Sequence, residues 1–158
     1  MSVMDRLTAL FTSPPVRADI KPLPVTDIPH ALGALLVRVA RADNQYLVEE
    51  ISKIDRVLAA YQSIGPIEAA KLRAECERLE SYATNTSDFT LYLCLSVSYE
   101  ERLGMVEALW QVAFADGKLR ETEKEVMELT QNQLGVRAED CDRARAKALA
   151  RADLPFRK

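Results

Sequence analysis

Hydrophobic residues recur at helical spacing along most of this chain. Ile28, Ala31, Leu32, Leu35, Leu36, Val39 and Ala42 follow the i, i+3, i+4 rule, which places them on one face of a helix. The first core helix is therefore expected to open at Asp27, a good capping residue, with Pro29 tolerated in the first turn. Asp43-Asn44 ends it, because both residues favour turns. Leu47, Ile51, Ile54, Leu58 and Tyr61 predict a second helix over about 47–61 with these five residues on its inner face. Ser63-Ile64-Gly65 stops it, and Pro66 suits the first position of a third helix over about 66–82. Leu72, Cys76, Leu79 and Ala83 form the stripe of that helix.

Residues 88–97 break the rhythm. Phe89, Leu91, Leu93, Leu95 and Val97 alternate with Thr90, Tyr92, Cys94 and Ser96, and period two is a strand signal. No other run offers a pairing partner, and a lone strand leaves its backbone groups unsatisfied. The stretch is expected to be a helix buried around most of its circumference. Next, Ser98-Tyr99-Glu100-Glu101 carries the spacing of a capping box. It opens a largely apolar helix to about Ala115, with Leu103, Val106, Leu109, Trp110, Ala113 and Phe114, expected at the centre of the core. After an Asp116-Gly117 turn, residues 120–134 predict another helix with Val126, Met127, Leu129 and Leu134 inward, and Gly135 is a suitable stop. The last helix covers about 138–151 with Cys141, Ala144, Ala148 and Leu149 inward, followed by a tail over 154–158. At the other end, Val3, Leu7, Leu10 and Phe11 make a short amphipathic stretch over 3–11. It suits a helix docked on the domain, or a contact with a partner or the periphery of a membrane. Residues 12–26 read as an extended, proline-rich linker.

Composition agrees with this pattern. The chain has 158 residues with few glycines and seven prolines, five of them between residues 14 and 29. The rest is rich in Ala, Leu, Glu and Arg, good helix formers. The expected fold is all-α: a single compact bundle of about seven helices with an internal helix-turn-helix duplication. Residues 1–26 form the N-terminal extension and 27–152 the helical domain. A chain of this length buries about 68–70% of its unfolded surface, so neither metal nor disulfide is needed merely to fold. Twenty-four acidic and 21 basic residues give a net charge of −3. That argues against a nucleic-acid partner, which calls for a basic surface or stripe. No apolar run approaches the ~20 residues of a membrane span. Met1-Ser2-Val3-Met4-Asp5-Arg6 lacks the pattern of a secretory signal. Cys76, Cys94 and Cys141 are odd in number, lack metal-ligand spacing, and suit buried small hydrophobes in a reducing compartment. A cytoplasmic location is expected.

Candidate chemistry centres on 113–123, Ala-Phe-Ala-Asp-Gly-Lys-Leu-Arg-Glu-Thr-Glu. A weaker copy lies 73 residues upstream, pairing Ala40 with Ala113, Asp43 with Asp116, Glu50 with Glu123, Ile54 with Met127 and Tyr61 with Leu134. Each unit has an Asp at the turn and a Glu seven positions later, in the first turn of the next helix. Two readings stay open. Such an Asp can simply bond local backbone, and such a Glu simply face the helix dipole. Alternatively, if the two units pack about a pseudo-twofold axis, Asp43, Glu50, Asp116 and Glu123 meet at one end of the bundle. Carboxylate oxygens of that kind suit Ca2+ or Mg2+. Asp116, Gly117 and Glu123 also match part of the EF-hand loop. The two earlier ligand positions are Val112 and Phe114, or Val39 and Arg41 upstream, which excludes an EF-hand. No enzyme motif of the G-x-S-x-G, P-loop, G-x-G-x-x-G or C-x-x-C type is present. The single His30, near a helix start, suits a capping or exposed role. Trp110 and the tyrosines suit core positions. Arg143, Arg145, Lys147 and Arg151 suit a solvated face that offsets the acidic 121–128 region. A small metal-dependent hydrolase built on Asp116 and Glu123 lacks any sign of a substrate cleft, so no enzyme activity is expected.

Glu101-Arg102, Glu107 through Leu119, Glu123 and Leu134-Gly135-Val136 together resemble the second half of tellurite-resistance TerB-like proteins. Ala42-Asp43-Asn44 with Glu50 resembles their first half. The resemblance spans about 27–150. The same fold resembles the N-terminal helical domain of some membrane DnaJ-like co-chaperones, although no His-Pro-Asp is present. The TerB resemblance implies an internally duplicated bundle acting as a cytoplasmic, stress-associated, non-enzymatic module. It implies divalent metal binding through acidic residues, here Asp43, Glu50, Asp116 and Glu123, and docking onto unidentified protein partners. The alternative is a structural interaction domain without metal. Two positions depart from the family pattern: Asn44 replaces Gly, and Arg120 stands where a capping Ser or Asp is common.

Overall fold

The computed structural model describes residues 22–152. The amphipathic stretch 3–11, most of the linker and the 154–158 tail lie outside the described residues. Seven helices follow in order: α1 (Ile28–Ala40), α2 (Val48–Gln62), α3 (Pro66–Tyr82), α4 (Ser87–Ser96), α5 (Tyr99–Ala113), α6 (Glu121–Gln133) and α7 (Ala138–Ala152). No strand occurs among the described residues, so the alternating stretch 88–97 is helical, as the lack of a pairing partner required.

Local signals account for most boundaries. Asp27 caps α1 by accepting from the His30 backbone N–H at 2.9 Å, one of the donors a helix start leaves unpaired. Pro66 opens α3. The Ser98 hydroxyl accepts from the Glu101 N–H at 3.3 Å, supplying the hydroxyl half of the capping box at α5. Gly135, with φ +68°, lets the chain leave α6 in the left-handed region that glycine enters without a Cβ penalty.

The bundle is built around α1 rather than α5. Nine of its residues are buried, from Ala31 to Ala40 with Arg38 the exception, and it packs on α2, α3, α4, α5 and α6. The physical reason is its small residues. At Gly33 a Cβ would lie 2.2 Å from the Cys76 Sγ, so only glycine lets α1 and α3 approach this closely. Arg38 leaves the core sideways, where it bonds Glu80 and the Ala83 carbonyl on α3 and its C-cap. The expected centre, α5, is the second layer. Met105, Val106, Leu109, Trp110, Val112 and Ala113 face inward, and α5 packs extensively on α7.

Several expected inner positions face water instead. Leu91 and Leu95 of α4 are 62% and 81% exposed, so that helix is buried along one side only, through Phe89, Thr90 and Leu93. The expectation of burial around most of its circumference is corrected. A helix lying on the outside of a bundle offers one stripe for packing, whatever its composition. Tyr61, Leu129 and Leu149 are likewise exposed, while Trp110 is buried and stacked on Phe114. Tyr82 is also exposed, and Tyr46, Tyr92 and Tyr99 are half-buried, because each hydroxyl requires a polar outlet. Cys76 and Cys141 are buried free thiols, and Cys94 is half-buried. The basic residues of α7 do not offset the 121–128 region. Lys147 and Arg151 pair with Glu107 on α5, Arg143 with Asp140, and Arg145 lies over Trp110.

Candidate functional site

The α1–α2 joint and the α5–α6 joint have the same local geometry. After each first helix the chain turns through an Asp: Asp43 Oδ1 accepts from the Gln45 N–H at 3.0 Å, and Asp116 Oδ1 from the Lys118 N–H at 3.1 Å. The next residue takes a positive φ in both, +62° at Asn44 and +78° at Gly117. The Asn44 departure is therefore accommodated, since asparagine is among the residues that tolerate this conformation. Leu47 and Arg120 are the N-caps of α2 and α6, with nearly equal backbone angles. Glu50 and Glu123 are each the third residue of their helix, and both are 1% exposed.

The two joints meet through Arg120. Its Nε lies 2.9 Å from Asp43 Oδ2. One terminal nitrogen lies 2.9 Å from Asp116 Oδ2 and 3.2 Å from Glu123 Oε1. One guanidinium thus ties the turn of the first unit to the turn and helix start of the second. Arg120 was the residue of this cluster hardest to see in the sequence, where it reads as a poor helix cap. Its spacing, four residues after Asp116 and three before Glu123, is nevertheless the spacing of helical ion pairs.

Glu50 completes the group without a cation of its own. Its Oε1 accepts from the Leu47 N–H at 3.4 Å, half of a capping box, since leucine has nothing to return. Burial, together with the charges of Glu123, Asp43 and Asp116, pushes its carboxyl up to about 7 against the bond from Leu47. Burial also raises Glu123 above the usual carboxylate range, although Arg120 opposes the shift. All four sequence-nominated carboxylates therefore lie in one electrostatic cluster at one end of the bundle. Glu50 Oε2 and Glu123 Oε2 are buried and have no partner, whereas Asp43 Oδ2 meets the Arg120 guanidinium as an ion pair. A buried carboxylate oxygen without a donor is costly, and two in one cluster need a reason. As the side chains stand, no three His, Cys, Asp or Glu among the described residues converge to hold a metal.

His30 has a different role from the one expected. Its ring is held between Asp27 Oδ1 and Glu75 Oε2, both at 2.6 Å, and is 14% exposed. Burial alone would lower its pKa, but the hydrogen bonds to Glu75 and Asp27 prevail and raise it. The pair fastens the start of α1 to α3, away from the carboxylate cluster.

No helix among the described residues is long and apolar enough to cross a membrane. No curated protein matches the chain, and no solved structure does. A sequence model of the family described as tellurite resistance protein TerB matches residues 30–146. With that match covering most of its length and the seven helices of the described residues forming the expected all-α bundle, this chain belongs to the TerB tellurite-resistance family.

Proposed function

We propose that this chain is a non-enzymatic, stress-associated module that takes up a divalent cation, Ca2+ or Mg2+, between its two acidic joints. The observation that carries the reading is the pair of unpartnered buried oxygens on Glu50 and Glu123. Three of the four carboxylates share one guanidinium and Glu50 has no cation, so the cluster holds an excess of negative charge in a largely dry site when all are ionised. Hard oxygen donors in that arrangement suit a small divalent ion. Asp43, Glu50, Asp116 and Glu123 would hold it, after the side chains rotate from their present directions onto a common centre. Bound there, the ion supplies charge compensation and a link between the two units. No reaction is assigned to the site. The family resemblance further supports a cytoplasmic location and docking onto a protein partner.

A second reading rests on Arg120. Its three ion pairs suit a purely structural latch, with no metal. Thermal denaturation with millimolar Ca2+, Mg2+ or Mn2+ separates the two. A cation at 100 times its Kd adds about 2.7 kcal/mol to stability. Replacing Asp116 by Asn and Glu123 by Gln keeps the turn and helix geometry but removes two charges, and is expected to abolish that gain. A wild-type protein indifferent to all three ions would leave the latch reading standing alone.

A further inference from the structure

We infer that Arg120 is a tethered counter-cation that occupies the carboxylate cluster in place of a divalent ion and must withdraw before one can bind. The inference rests on the cation-site reading above and adds to it the residue that sets the affinity. Its basis is an asymmetry between two otherwise equivalent joints. Leu47 and Arg120 hold the same N-cap position with nearly the same backbone. Leu47 places nothing among the carboxylates. Arg120 places a guanidinium against Asp43, Asp116 and Glu123.

The oxygens that Arg120 holds include those an ion would require. Glu123 offers one oxygen to Arg120 and keeps the other unpartnered, and Glu50 keeps one unpartnered as well. Both side chains are 1% exposed, and Glu50 feels the charges of the other three carboxylates, so its free oxygen belongs to the same cluster. A guanidinium is planar and binds carboxylates edge-on through a fixed fork, whereas a divalent ion gathers oxygens about a point. The two geometries are mutually exclusive at shared oxygens. The present arrangement agrees: Arg120 holds oxygens of three of the carboxylates, and no ligand set converges among the described residues. The Arg120 side chain is 28% exposed, so its head has a short route to water, and its long stem can remain on the surface as the charge moves out.

Calorimetric titration of Ca2+, and separately of Mg2+, into wild-type protein and the Arg120→Gln and Arg120→Lys variants tests this. Removing the competing charge is expected to tighten binding roughly tenfold or more in Arg120→Gln, a repulsion reduced by solvent screening. Arg120→Lys, which keeps the charge but loses the fork, is expected to fall between that variant and wild type. Equal or weaker binding by Arg120→Gln than by wild type would overturn the role of Arg120 while leaving the cation site intact. Binding by neither protein would overturn both. Should the variants fold poorly, the wild-type protein supplies the readout. The Arg120 Nε–H resonance, followed by NMR during Ca2+ titration, should shift and broaden through faster exchange with water as its ion pairs open, in step with the binding isotherm. A resonance unmoved at saturation would refute displacement.

Discussion

Glu50→Gln is expected to make the metal-free protein more stable at alkaline pH, although it removes a native hydrogen-bonding carboxylate. The substitution keeps the shape of the side chain and an oxygen for the Leu47 N–H, while removing a charge that sits 1% exposed among three other carboxylates. Folding raises the Glu50 pKa from 4.5 to about 7. Between those values the folded state binds the proton and the unfolded state does not, so stability falls as pH rises and levels off above the folded pKa. At about 1.4 kcal/mol per pH unit the shift sets a ceiling of about 3 kcal/mol. Relaxation and water entry reduce such penalties, and losing a carboxylate from the first turn of α2 costs about 0.5 kcal/mol in helix-dipole interaction. The burial penalty remains the larger effect, leaving Glu50→Gln ahead by about 1–2 kcal/mol at pH 8. Near pH 5, where folded Glu50 is already protonated, the two proteins should differ little. Urea denaturation in EDTA at several pH values from 5 to 8 measures this. The difference between the two proteins isolates Glu50 from every other titrating group they share. Parallel pH profiles, or a variant less stable than wild type at pH 8, would refute a charge penalty at Glu50. Saturating Ca2+ should reverse the order, because the wild type gains from the cation and the variant gains less.

Two further perturbations probe the frame that holds the site. Gly33→Ala places a methyl 2.2 Å from the Cys76 Sγ. Overpacking of about 1–3 kcal/mol outweighs the roughly 1 kcal/mol that alanine gains in a helix. The expected result is a net loss in chemical denaturation, partly recovered in Gly33→Ala/Cys76→Ala, and simple additivity of the two changes would contradict the contact. His30→Gln tests the clamp between α1 and α3. With its folded pKa raised above 6.5, His30 contributes fully below 6.5 and loses its contribution as pH rises through the folded value. The variant should therefore trail wild type by up to about 1 kcal/mol at pH 5.5, given partners that are half exposed, and approach it at pH 8.5. A deficit that grows with pH would reverse the assignment.

Much of the helical pattern was legible because its signals act over three or four residues. Asp27, Ser98, Pro66 and Gly135 mark helix ends by satisfying, or no longer requiring, local backbone hydrogen bonds. The acidic joints were legible for a related reason. An Asp turn followed seven residues later by a Glu, with a 73-residue offset between copies, describes local backbone at both places. The family resemblance rested on the same stretch and agrees with the match over residues 30–146.

What the sequence by itself determined, then, was the all-α class, the sequence of helices, and two matching joints that each carry an Asp and a Glu. The tertiary structure decided which helix is central, which side of α4 meets water, and what stands between the carboxylates. Those are questions of which distant faces meet, and helical periodicity reports only that a face exists. Leu91, Leu129 and Leu149 had the right spacing but no neighbour to cover them. Gly33 carries no signal in the hydrophobic pattern, yet a Cβ there would lie 2.2 Å from the Cys76 Sγ. Arg120 looked like a weak cap, yet its guanidinium bridges Asp43 and Asp116 across the two units. Charge acts through space, so the role of a lone cation among four acids appears only once folding has brought the acids to it.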